Sequence, residues 1–87
     1  MDTRVALIGI MVKDASAAAE LNELLHQYSR FVIGRMGIPY REKGVNIISV
    51  VVDAPQDQIS ALSGKIGRLK GVSAKTLYSD VITKAEE

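Results

Sequence analysis

Two short runs of aliphatic and β-branched residues, forty positions apart, constrain this chain more than any other feature. Val5, Leu7, Ile8, Ile10, Met11 and Val12 align with Val45, Ile47, Ile48, Val50, Val51 and Val52 at a constant offset of 40. Residues of this kind fit a pleated, packed surface, so each run reads as a strand. The first is expected over residues 4–13. The second, GVNIISVVVD over 44–53, holds six Val or Ile among ten residues and should lie in the middle of a sheet. Each run is followed by apolar residues at helical spacing: Ala18, Leu21, Leu25 and Tyr28 within 15–28, then Ile59, Leu62, Ile66 and Leu69. Asp14 or Ser16 can cap the first helix, Pro55 suits the first turn of the second, and Gly71 suits its stop.

Each half then closes with a weaker strand. Phe31 to Ile38, broken by Gly34 and Gly37 and ended by Pro39, reads as a bent edge strand. Val72 to Ser79 mixes Val, Thr and Tyr with Ser and Lys and reads as half-exposed. Two strand-helix-strand halves predict an α+β, ferredoxin-like βαββαβ fold, a four-stranded antiparallel sheet with both helices on one face. No stretch looks like a linker, and 87 residues suit one small domain, expected over 1–80 with a tail at 81–87. Such a fold hosts many unrelated activities, so function has to come from particular residues.

Several chemistries are excluded by residue type. Without Cys there is no disulfide, thiolate zinc site or cysteine nucleophile, and one histidine, His26, cannot form a two-histidine metal cluster. As a metal ligand His26 would need at least two further donors, so a polar helix-end role is the simpler reading. No carboxylate pair or base-nucleophile spacing stands out, so neither an enzyme nor a cofactor is expected. The longest apolar run, Val5 to Val12, has eight residues where a bilayer span needs about 20. Ala17, Ala18 and Ala19 after it imitate a signal-cleavage site, but Asp2 offsets Arg4 and Lys13 and Asp14 interrupt the approach, so the chain is expected in the cytoplasm.

The strands also predict assembly. In the first, Ala6, Ile8, Ile10 and Val12 point one way and Val5, Leu7, Gly9 and Met11 the other; in the third, Ile48, Val50 and Val52 alternate with Val45, Ile47 and Val51. Both sets are apolar, yet two helices cover only one face. A homodimer or tetramer through the sheet is expected, the alternative being a monomer whose tail folds back over it.

Two basic stretches are candidate binding sites. From Arg30 to Lys43 there are four cations against Glu42, with Phe31 and Tyr40 interspersed, which makes Arg35, Tyr40 and Arg41 candidates for holding a small anionic effector. The competing reading is a solvated edge whose charges prevent aggregation. From Ile59 to Lys75 no residue is acidic, and Lys65, Arg68, Lys70 and Lys75 suggest a nucleic-acid-binding alternative. Gly64-Lys65-Ile66-Gly67 spells the GXXG of a nucleic-acid clamp, but too few residues follow before Gly71 for the second helix such a clamp needs. The pI of about 8.0 also falls below the value above 9 expected of a dedicated binder. A P-loop fails because Ile59 and Ile66 stand where Gly and a magnesium-binding Ser or Thr are required. The simpler reading has Gly64 and Gly67 allowing close approach of the helix to the sheet or to a neighbouring subunit.

Three stretches in order, GRMGIPYRE at 34–42, ALSGKIG at 61–67 and GVSAKT at 71–76, give the chain a family resemblance. It resembles the iron-only hydrogenase system regulators, small ACT-like βαββαβ proteins similar in shape to the C-terminal ligand-binding domain of nickel-responsive repressors. The resemblance implies a regulatory, ligand-sensing or protein-interaction module that acts as an oligomer, and it brings no catalytic residues. ACT domains use a glycine-containing turn after the first strand to bind an amino acid. Here that turn reads Lys13-Asp14-Ala15-Ser16, without glycine. The nickel repressors use several histidines and a cysteine, of which this chain has only His26. Those repressors also carry a separate DNA-binding domain, for which 87 residues filled by βαββαβ leave no space, so if this chain regulates transcription the resemblance implies action through a partner.

Overall fold

The two apolar runs pair with each other in the middle of one sheet. The computed structural model describes residues 2–85. Its elements are β1 (Thr3–Val12), α1 (Ala18–Gln27), β2 (Val32–Tyr40), β3 (Val45–Ala54), α2 (Gln56–Gly67) and β4 (Val72–Thr83). All neighbouring strands are antiparallel in the order β2-β3-β1-β4, with Ile8 opposite Val50 and Ile10 opposite Ile48. This is the ferredoxin-like βαββαβ fold, with β1 and β3 central and β2 and β4 at the edges.

One pleat face and both helices form the core. Ala6, Ile8, Ile10, Val12, Val50 and Val52 pack with Leu21, Leu25 and Tyr28 of the first helical segment and Ile59, Leu62 and Ile66 of α2. Burying one such Leu or Ile side chain is worth about 1.5–3 kcal/mol, which is what holds helices this short in place. The expected apolar face of α2 is thus borne out, with Leu69 half-buried at its end.

Four boundaries differ from the sequence reading, each for a local reason. The first helical segment begins as a 3-10 turn (Ala15–Ala17), whose tighter winding puts Ala17 in the core and leaves Ala18 exposed. β2 does not end at Pro39 but runs through it to Tyr40, because an edge strand can spare an N–H. α2 ends at Gly67, after which i→i+3 bonds from Arg68 N–H to Lys65 O and from Leu69 N–H to Ile66 O lead towards Gly71. The final strand continues past Ser79 to Thr83, so residues 81–83 of the expected tail are sheet, while Glu86 and Glu87 lie outside the described residues. A bulge hides this continuation from pattern reading: the register with β1 shifts between Arg4 and Ala6. There the Ser79 hydroxyl donates to the Val5 carbonyl at 2.6 Å and accepts the Val81 N–H at 3.1 Å.

Asp14, rather than Ser16, supplies the cap. Its carboxylate accepts the Ser16 hydroxyl at 2.7 Å and the Ser16 N–H at 2.9 Å, and these bonds hold its pKa below the ordinary carboxylate value. A lowered folded-state pKa means the cap's contribution is complete above about pH 4 and is lost as pH falls through the folded value. In thermal melts, the advantage of the native chain over Asp14→Ala is expected to hold from neutral pH to about 4 and to shrink below it. An advantage independent of pH would contradict the cap's ionic character.

Candidate functional site

The second face of the sheet is apolar and uncovered. Cross-strand rows place Gly34, Val51, Leu7 and Leu77 side by side, then Met36, Ser49, Gly9 and Lys75, then Ile38, Ile47, Met11 and Ser73. Leu77 is 69% exposed, Met36 63%, Ile38 52% and Met11 42%. Among the described residues the C-terminal segment does not cross this face: it extends β4, and the Ala85 N–H donates to Asp2 Oδ1 at 2.9 Å. The tail-over-sheet alternative is therefore not what residues 81–85 do.

The anion-binding candidates are not gathered into one place. Arg35 pairs with Val50 and so lies on the helix side of the sheet, whereas Tyr40 pairs with Val45 on the open side. They stand five positions apart along the strand, roughly 16 Å at ~3.3 Å per residue. Tyr40 donates to Glu42 at 3.1 Å and, with Arg41, lines the hairpin end beside Gly44 and Asn46. Arg35 instead reaches α1, donating from both terminal nitrogens to Asn22 Oδ1 at 3.3 Å. There it lines a cleft of about 380 Å³ with Asn22, His26 and Ser29 over Leu25, Val32 and Val50. Asn22 and Ser29 escaped the sequence reading. Their signal was a stripe, Asn22, His26 and Ser29, set one residue behind the buried Leu21, Leu25 and Tyr28. Among the described residues no cluster of three His, Asp or Glu side chains is arranged to hold a metal ion.

The basic stretch of residues 59–75 divides in the same way. Lys75 pairs with Gly9 on the open face, while Lys65 and Arg68 line a groove of about 510 Å³ between the helices, facing Glu20 and Glu23. Lys65 is further engaged by Tyr28, donating to its hydroxyl at 2.9 Å with the ammonium 5.1 Å from the ring centroid. The GXXG residues sit in the last turns of α2 with Ile66 fully buried, not in a loop between two helices. Nor does either glycine allow a close approach within the chain. A Cβ on Gly64 would meet only Arg68 at 3.9 Å, and one on Gly67 nothing within 4 Å. Gly64→Ala is therefore expected to stabilise the protein by about 0.5–1 kcal/mol through helix propensity. In thermal denaturation that is a rise of several degrees, and a fall instead would mean that the glycine surface touches another molecule.

A βαββαβ domain with helices on one face of its sheet and an uncovered apolar layer on the other belongs structurally to the ferredoxin-like, ACT-like class. The TM1266-like family, described as an iron-only hydrogenase system regulator, matches residues 4–76, and the chain belongs to this family. Among solved structures it is similar to the uncharacterised protein TM1266 from Thermotoga maritima, at 39% identity and a TM-score of 0.83 over 87% of this chain and 96% of that one. A formyltetrahydrofolate deformylase from Pseudomonas putida KT2440 shares the fold at 13% identity and a TM-score of 0.60, over 84% of this chain but 28% of that one. None of the curated proteins matches the chain. Among the described residues no helix is long and apolar enough to cross a membrane.

Proposed function

We propose that this chain is a non-catalytic, ligand-sensing regulatory module of the cytoplasm that works as a homo-oligomer, two copies stacking through their open sheet faces. The uncovered apolar face carries the reading. Four strands ~4.8 Å apart and about nine residues of ~3.3 Å rise give a face of roughly 600 Å². A stacked pair would bury on the order of 1,200 Å² in total, the lower bound of a stable specific interface. A second copy fits such a face because a two-fold axis sets the same leucine, isoleucine and methionine rows against one another. Membership of the regulator family supports a control function rather than catalysis, with a small anionic effector held by the Arg35 side of the sheet or by Tyr40 and Arg41 at the hairpin. A connection to iron-only hydrogenase systems rests on the family's description alone.

Light scattering of the untagged protein over a range of concentrations tests the assembly. A mass at a stable multiple of 9.4 kDa is expected. A mass of one chain at every concentration would overturn the stacked pair.

A further inference from the structure

We infer that the cleft between α1 and the outer strand β2 is the effector site, and that it takes a small monocarboxylate with a compact apolar body. The inference rests on the ligand-sensing reading and gives it a place and a chemistry. The cleft is built in two layers. Its floor is apolar, Leu25 and Val50 buried and Val32 half-buried, and its rim carries one cation, Arg35, with the amide of Asn22, the imidazole of His26 and the hydroxyl of Ser29. At about 380 Å³ it lies at the small end of the ~300–1,000 Å³ range of ligand pockets.

The guanidinium is held but weakly satisfied. Both terminal nitrogens share one neutral oxygen, Asn22 Oδ1, at 3.3 Å, beyond the ~2.7–3.2 Å of a well-made N–H···O bond. A carboxylate offers two oxygens at the spacing of the guanidinium fork and forms shorter, charge-assisted bonds. Acidic side chains are kept out of the cleft: Glu20 and Glu23 of α1 line the groove towards α2 instead, and no carboxylate is among the cleft's lining residues. One cation matches a monoanion, and the Leu25, Val32 and Val50 floor rewards an alkyl group rather than a second charge. Because the cleft lies on the helix side, the proposed stacking leaves it open.

Titration of the isotopically labelled full chain with 4-methylpentanoate, 4-methylpentanamide and inorganic phosphate, followed by amide chemical shifts, tests this. The carboxylate is expected to perturb amides of residues 22–35 and 50, with the amide and phosphate at least tenfold weaker. Arg35→Ala should weaken 4-methylpentanoate at least tenfold and Asn22→Ala severalfold, while Lys84→Ala, at an exposed position outside the cleft, leaves it unchanged. Equal binding of the neutral amide, tighter binding of phosphate, or an unchanged affinity in Arg35→Ala would overturn the assignment, as would the absence of any perturbation. Carboxylate-induced shifts at the hairpin or in the α1–α2 groove would overturn this site while leaving ligand sensing intact. A monomeric mass would overturn the assembly without touching the cleft titration.

Discussion

Gly71→Ala is expected to cost about 3 kcal/mol or more, the sum of a left-handed backbone penalty of ~1–2 kcal/mol and a steric one of similar size. Gly71 has φ of +72°, and a Cβ there would collide with the Cβ of Asp14 while lying 3.1 Å from the Asp14 nitrogen and 3.3 Å from its Cα. Those atoms belong to the backbone junction between β1 and the first helical segment, which Lys13 N–H ties to the Gly71 carbonyl at 2.7 Å. Relief by movement would break that bond and disturb the Asp14 cap. For a domain of this size the loss amounts to a fall in Tm of more than about 10 °C, measured by circular dichroism. Gly44→Ala is the matched control, since Gly44 also has positive φ, +61°, but open space around its missing Cβ. It should cost only about 1 kcal/mol. Equal losses in the two variants would show that the Asp14 contact contributes nothing.

Leu77→Lys is expected to reduce the mass in solution to that of one chain without unfolding it. Leu77 is 69% exposed on an edge strand and stands beside Leu7 on the open face. In an isolated protomer such a surface change alters stability by no more than about 0.5 kcal/mol, and lysine is well tolerated on edge strands. In a stacked pair the substitution enters twice, removes the apolar contact of two leucines and adds two ammonium groups beside those of Lys75 in the neighbouring row, where like charges repel. A weakening of association by about a hundredfold or more follows, since every 1.4 kcal/mol is tenfold. Ala61→Lys, at an exposed position of α2 on the other side of the molecule, should leave the mass unchanged. An oligomer that survives Leu77→Lys would place the interface elsewhere.

The elements were legible because their signals are local. The runs of Val, Ile and Leu along residues 5–12 and 45–52 mark β1 and β3, though with both pleat sets apolar they leave open which set the helices bury, and the spacing of Ile59, Leu62 and Ile66 marks the inner side of α2. Where a local device broke the period, reading failed by a few residues. The 3-10 turn moved the buried alanine from Ala18 to Ala17, and the bulge held by Ser79 concealed the last turns of β4 pairing. Pro39 looked like an end because its missing N–H matters only in a strand with neighbours on both sides.

Residue chemistry was legible too, but its grouping was not. Arg35, Tyr40 and Arg41 are close in sequence, and so are Lys65, Arg68 and Lys75, yet pleating sends Arg35 and Tyr40 to opposite sides of the sheet, as it separates Lys75 from the cations of α2. Arg35 finds its neighbours thirteen to six residues earlier, in Asn22, His26 and Ser29, because α1 lies across the helix side of β2. By itself, then, the sequence determined the βαββαβ order and an apolar layer on each face of the sheet, since both follow from periods of 2 and 3.6 residues along the chain. Tertiary structure alone decided which polar side chains share a cleft, because that depends on which stripe of a helix is set beside which strand, a relation between segments that no local period encodes.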